Sequence, residues 1–174
     1  MICEKEIREK SLENIAEKML IASRTAPKAR GVDNLVLGYL NKNEIVKISE
    51  EMIRLTTVEG MPEHFKRDGK NILKAEIIVL IGTKLQPLGV NCKLCGFESC
   101  RAKKEEVPCV FNTNDLGIAI GSAVSVAMDF RVDNRVMFSI GVAVKNLKLI
   151  DKDVKILFGI PLSASGKNIF FDRG

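Results

Sequence analysis

The chain is 174 residues long, 46% apolar and 28% charged, a balance that suits a globular domain and leaves enough apolar side chains for a buried core. Its net charge of +5 comes from 27 basic residues interspersed among 22 acidic ones, with no tryptophan and one tyrosine. Without a basic stripe or stacking aromatics, nucleic-acid binding is not expected. The N-terminal MICEKEIREKS lacks the apolar core of a signal peptide, and the longest apolar run, Leu116 to Met128, is too short to span a bilayer. A cytoplasmic location with no membrane partner is the expectation.

Between Ser11 and Ala22, Leu12, Ile15, Ala16, Met19 and Leu20 recur at helical spacing, with Glu13, Glu17 and Lys18 off that face. Pro27 stops the helix, because the residue before a proline avoids helical dihedrals. Ala26 to Asn34 (APKARGVDN) is a polar, basic loop, and Leu35 to Leu40 a short buried strand. Asn43 is the expected N-cap of a helix from Glu44 to Leu55, with Ile45, Ile48, Met52 and Leu55 on one side. Thr56 to Lys74 is a long polar connection with room for a short helix. It carries the single histidine, His64, expected as a surface or hydrogen-bonded side chain rather than a catalytic base.

Ala75 to Ile81 is a β-branched strand ended by Gly82. Asn114 to Phe130 is apolar on nearly every face, which predicts a helix buried at the centre of the fold. Gly117 and Gly121 within it would let another backbone approach, and they do not make a dinucleotide fingerprint. Val132 to Arg135 breaks the chain, Asn134 is expected to cap a further helix to about Leu147, and Lys152 to Ile160 forms a last strand. Gly166 and Lys167 in the tail lack P-loop spacing. This order implies an α+β or α/β fold around a small sheet, in one domain spanning 1–174 with 88–112 as a cysteine-rich insertion.

That insertion carries the chemistry. Asn91 to Cys109 holds four of the five cysteines at C-x2-C-x4-C-x8-C: Cys92, Cys95, Cys100 and Cys109. In a reducing compartment, clustered cysteines are ligands or redox thiols more often than disulfides. Four thiolates in a short loop satisfy a [4Fe-4S] cluster, which moves single electrons. They also satisfy a tetrahedral zinc site, the alternative, which would make this a structural or interaction domain without redox activity. Gly96 allows a sharp turn after Cys95, and Pro108 directs the return of the fourth ligand. The spacing is not that of an ordinary ferredoxin, and Cys3 stands apart as a bystander. Arg101 to Lys104 reads first as a solvated loop and second as positive charge for docking an acidic electron-carrier protein, the redox partner itself being unidentified.

Cys92, Cys95, Gly96 and Cys100 form a segment that resembles the small four-iron domain of corrinoid iron–sulfur proteins, which implies the same four-cysteine ligand set. Across its length the chain is similar to the uncharacterised "ferredoxin domain-containing" proteins, the DUF2148 family, through APKARGVDN, DLGIAIGSAV, VDNR and GIPLSASGKNIFFDR.

The order of elements, the helix end from Ala22 to Pro27 and the strand end from Gly159 to Pro161 also resemble the FMN-dependent nitroreductases. That resemblance implies an α+β fold, with a nitroreductase-like small sheet, a buried central helix and a cysteine-rich metal-binding loop. It further implies a homodimer with FMN at its interface and a flavin-linked oxidoreductase activity. The Lys28–Arg30 loop would lie near the flavin, with Lys167 and Arg173 meeting its phosphate. The family's N-terminal Arg-Arg-Ser-x-Arg phosphate motif is absent.

Overall fold

The computed structural model describes Met1 and residues 3–171. Its elements are α1 (Glu4–Thr25), β1 (Leu35–Leu40), α2 (Lys42–Val58), α3 (His64–Ile72), β2 (Ile77–Lys84), α4 (Val110–Asp129), β3 (Asp133–Asn134), α5 (Phe138–Asn146) and β4 (Val154–Ser163). The strands form one antiparallel sheet in the order β1-β2-β4-β3. The fold is α+β, with helices on both faces of the sheet.

Strand β2 explains why there are two helical layers. It pairs with β1 on one side and β4 on the other, so its side chains must be covered on both faces. Ile77, Val79 and Ile81 point into a core with Leu12, Ile15 and Met19 of α1 and Leu116, Ala119 and Ala123 of α4. Ile78 and Leu80 point the other way, among Ile45, Ile48 and Met52 of α2, Phe65 of α3 and Ile140 of α5. Burying each such aliphatic side chain contributes roughly 1.5–3 kcal/mol, which is why this stretch is apolar without alternation.

Several boundaries differ from the sequence expectation, each for a local reason. Helix α1 begins at Glu4, before its apolar stripe, with the exposed Cys3 as N-cap. Asn41, not Asn43, caps α2: its side chain accepts from Asn43 N and Glu44 N, while Glu44 Oε2 accepts from Asn41 N at 2.9 Å. This reciprocal pair needs a glutamate three residues after the cap, which Asn41 has and Asn43 lacks. Asn41→Ala should therefore lower stability by about 1 kcal/mol, seen as an earlier chemical-denaturation midpoint with unchanged slope, whereas Asn43→Ala should be nearly silent.

Asn134 is not a helix cap. It lies in β3 opposite Leu162, and α5 starts at Phe138 after Met137 has exchanged both backbone hydrogen bonds with Gly159. Gly82 does not end β2 but lies within it, where β4 crowds the backbone: a Cβ there would stand 2.7 Å from Val154 Cγ1 and 2.9 Å from Ile156 O. The polar connection after α2 contains α3, whose His64 packs against Phe65 and Phe138 with ring centroids 5.1 and 5.4 Å away.

The largest correction concerns α4, which is not buried all round. Asn112, Asp115, Leu116, Ala119, Ala123 and Ala127 make one buried stripe, whereas Ile118 is 39% and Met128 60% exposed. Gly117 and Gly121 lie on the open side, and a Cβ on either meets nothing within 4 Å. Among the described residues, no backbone of the same chain uses the space they leave. Among those residues, too, no helix is long and apolar enough to cross a membrane.

Candidate functional site

The cysteine loop joins the end of β2 at Lys84 to the start of α4 at Val110, so both its ends are set by the core. Cys92, Cys95 and Cys100 are half-buried in the loop, and Cys109 is 5% exposed as the N-cap residue of α4. All four thiols are uncrosslinked.

Asn91 closes the loop on itself. Its backbone N–H donates to Cys100 Sγ at 3.3 Å, and its Oδ1 accepts from Cys100 N at 2.8 Å. Three residues in this short span adopt left-handed dihedrals: Asn91 (φ 50°), Lys93 (φ 61°) and Gly96 (φ 83°). Asparagine and glycine tolerate that region, but lysine seldom enters it. Lys93 is held there by a turn in which its carbonyl accepts from Gly96 N at 2.9 Å, and by an ion pair from its Nζ to Glu98 at 2.6 Å. The backbone therefore turns sharply before Cys92, between Cys92 and Cys95, and directly after Cys95.

A second set of contacts ties the loop to the helices. The turn Ala29–Gly31 follows α1, and Ala29 N donates to both carboxylate oxygens of Asp115, at 3.1 and 3.2 Å. Arg30 reaches from the same turn to Leu88 O at 2.7 Å, where the cysteine loop begins. Ser23 and Ser122 lock α1 to α4 through Ala119 O (3.2 Å) and Ala22 O (3.0 Å). The two ends of the loop thus share one frame. Beside it, Asp33 bonds Arg24 at 2.6 Å. Burial pushes the Asp33 carboxyl up, but the Arg24 and Leu35 hydrogen bonds, with the charges of Arg24 and Lys28, outweigh this and hold it below its usual value.

Of the residues expected to meet a flavin, Lys28 has its ammonium on three carbonyls: Ser23 (3.3 Å), Arg24 (2.5 Å) and Ala26 (2.7 Å). It finishes the C-terminus of α1, where a cation is favoured. Arg30 is engaged by Leu88. Lys167 is exposed after β4, with its carbonyl accepting from Ser165 Oγ at 2.7 Å. Arg173 lies outside the described residues. Lys28 and Arg30 thus each direct their cationic group at carbonyl oxygens of the same chain.

The thiols do fit a metal-held centre by their chemistry: four free sulfurs, one already accepting a backbone N–H, and, three residues after the fourth, a buried asparagine with both amide atoms unpaired. Among the described residues, no three Cys, His, Asp or Glu side chains stand in a coordination shell. His64 belongs to α3 in the opposite helical layer. Lys103 is turned inward to Lys104 O and Val107 O, whereas Arg101 and Lys104 are exposed cations of the loop.

Asn91, Asp115 and Asn112 do not stand out in the sequence as site residues. A signal exists for Asp115, an acid in an otherwise apolar stretch. For Asn91 it is an asparagine directly before the first cysteine. Asn112 has none, since its burial depends on which face of α4 is covered.

A family model described as "Uncharacterized protein containing a ferredoxin domain (DUF2148)" matches residues 105–173. An uncharacterised protein from Archaeoglobus fulgidus is 39% identical, over 99% of this chain and 97% of its own length. Among solved structures, a nitroreductase-like protein with FMN from Desulfovibrio desulfuricans superposes with a TM-score of 0.59 at 12% identity, over 89% of this chain and 75% of that one. A BluB-like flavoprotein from Clostridium difficile gives 0.59 at 17% identity, over 90% and 86%. A Bacteroides fragilis nitroreductase with bound FMN gives 0.59 at 10%, over 88% and 79%. At these identities the likeness shows the fold alone.

Proposed function

The chain belongs to the DUF2148 family of proteins containing a ferredoxin domain and shares the nitroreductase fold, and from that premise we propose that it is an iron–sulfur redox protein. Cys92, Cys95, Cys100 and Cys109 would hold a [4Fe-4S] cluster. When bound, such a cluster supplies one-electron transfer. The observation that carries this reading is the Asn91–Cys100 clamp, with its N–H directed at a ligand sulfur. Such bonds stabilise the extra negative charge of a reduced centre.

The remaining residues position and screen. Asp115, Ala29, Arg30 and Leu88 link the loop's start to the helix that carries Cys109. The N-terminus of α4 favours negative charge on a thiolate-bound centre. Arg101 and Lys104 present positive charge to a redox partner protein. A reducing, cytoplasmic location suits four free thiols. A second copy of the chain is the natural cover for the open face of α4 with Gly117, Ile118, Gly121 and Met128, where two helices can approach closely.

Anaerobic purification with iron, sulfide, zinc and flavin quantified together tests the reading. The expected protein is brown, with broad absorbance near roughly 400 nm and about four irons and four sulfides per chain, and its mass by light scattering is that of a dimer. A colourless protein with one zinc per chain would overturn the redox assignment. Release of FMN on denaturation would make it a flavin-linked oxidoreductase rather than a carrier.

A further inference from the structure

Asn112 differs from the other buried polar side chains. It is 1% exposed, and both Nδ2 and Oδ1 are buried without a hydrogen-bond partner. The neighbouring cases are satisfied: Ser23 donates to Met19 O and Ala119 O, Ser49 to Gly69 O, and Ser139 to Asp68, while Asp115 accepts from Ala29 N. Single orphan atoms also occur at Asn34 and His64, but on residues that are only partly buried. An amide with neither end paired weakens a core, and an apolar side chain of the same shape would serve the folded chain better. Its presence calls for a partner from outside the chain.

Its position says which partner. Asn112 is the third residue of α4, and its N–H bonds to the carbonyl of the N-cap, Cys109, at 3.0 Å. Cys109, the N-cap, and Asn112, three residues on, belong to the same first turn of α4, and both are buried, at 5% and 1% exposure. A primary amide offers two N–H donors, and a metal-bound thiolate or sulfide is a ready acceptor for them.

We propose that Asn112 donates its Nδ2–H to the sulfur of the centre held by Cys109, and so sets that centre's reduction potential. This rests on the cluster reading above. Asn112 is a positioning and tuning residue, doing at the fourth cysteine with its side chain what Asn91 does at the third with its backbone. Donation to sulfur stabilises the reduced cluster more than the oxidised one, because reduction adds negative charge, and so raises the potential.

Asn112→Leu keeps the volume and removes the amide. In anaerobically loaded protein it should hold the wild-type complement of iron and sulfide, while its one-electron reduction constant falls about tenfold, equal to about 59 mV in the negative direction. The metal-free variant should melt above metal-free wild type, because the orphaned amide is gone. Asn112→Gln, which retains an amide, should recover part of the potential. Should the leucine variant fold poorly, Asn112→Ala removes the same donor and carries the same expected potential shift. An unchanged potential in the leucine and alanine variants, with their clusters intact, would assign the amide to a buried water and sink the proposal while leaving the cluster standing. Wild-type protein without iron and sulfide would instead remove the cluster reading, and this inference with it.

Discussion

Cys109→Ser, loaded anaerobically, should lose most of its iron and sulfide while its metal-free fold stays intact. The two effects separate because Cys109 has two positions in one. It is the fourth thiolate of the loop, and it is also the N-cap of α4, where its side chain makes no capping hydrogen bond. Serine is among the best N-cap residues, and its hydroxyl can accept from the first-turn N–H groups that cysteine leaves unserved. The metal-free variant should therefore match or exceed wild-type stability, by up to about 1 kcal/mol. Ligation moves the other way. Outer partners of a metal ligand alone are worth about 10–100-fold in affinity, so losing a direct thiolate should exceed that. Iron and sulfide analysis beside thermal melting of the metal-free protein checks both. Full retention of iron would remove Cys109 from the site. Cys3→Ser, at the exposed N-cap of α1, is the control and should keep its iron.

Gly141→Ala should unfold the protein or bring it close to unfolding. An alanine in a helix interior normally gains about 0.5–1 kcal/mol over glycine. At position 141 that gain is small against the clash: the added Cβ would stand 1.8 Å from Leu157 O and 2.5 Å from its carbonyl carbon, both backbone atoms. Relief requires lifting α5 from β4, which opens the core around Ile140, Ala143, Val144 and Leu157. It also pulls on the paired Met137–Gly159 bonds that seat the start of the helix. A loss above about 4 kcal/mol is expected, a large fraction of the margin of a domain stable by about 5–15 kcal/mol. Denaturant titration, or loss of folded material on expression, measures it. Gly38→Ala, in β1 and away from the open face of α4, is the control, because nothing lies within 4 Å of its added Cβ. A Gly141→Ala protein as stable as wild type would mean that α5 does not sit on β4 as described.

Strand β1 was legible in the sequence to the residue, and the core of β2 nearly so, because a strand covered on both faces must be apolar throughout. The stripes of α1 and α2 were legible for the matching reason in helices, a periodicity that survives without knowledge of the partner. The cap of α2 was present as a glutamate three residues after Asn41, and the nearer Asn43 hid it. Strand β3 had no such mark: two residues carry no period, and only their pairing with β4 makes them a strand.

By itself the sequence determined the candidate ligand set, since four cysteines at that spacing are a chemical statement before any folding. It also determined the apolar character of β2 and α4, and the kinship with ferredoxin-domain proteins. The tertiary structure alone decided which face of α4 is covered, because apolar residues stand on nearly every face of this helix and two of its polar ones, Asn112 and Asp115, are on the buried side. That choice places Asn112 and Asp115 inward and Gly117 and Gly121 outward. It also decided that Lys28 closes α1, that Arg30 reaches Leu88, and that Ala29 meets an acid 86 residues away. Contacts at such separation depend on how the layers pack, which no local pattern encodes.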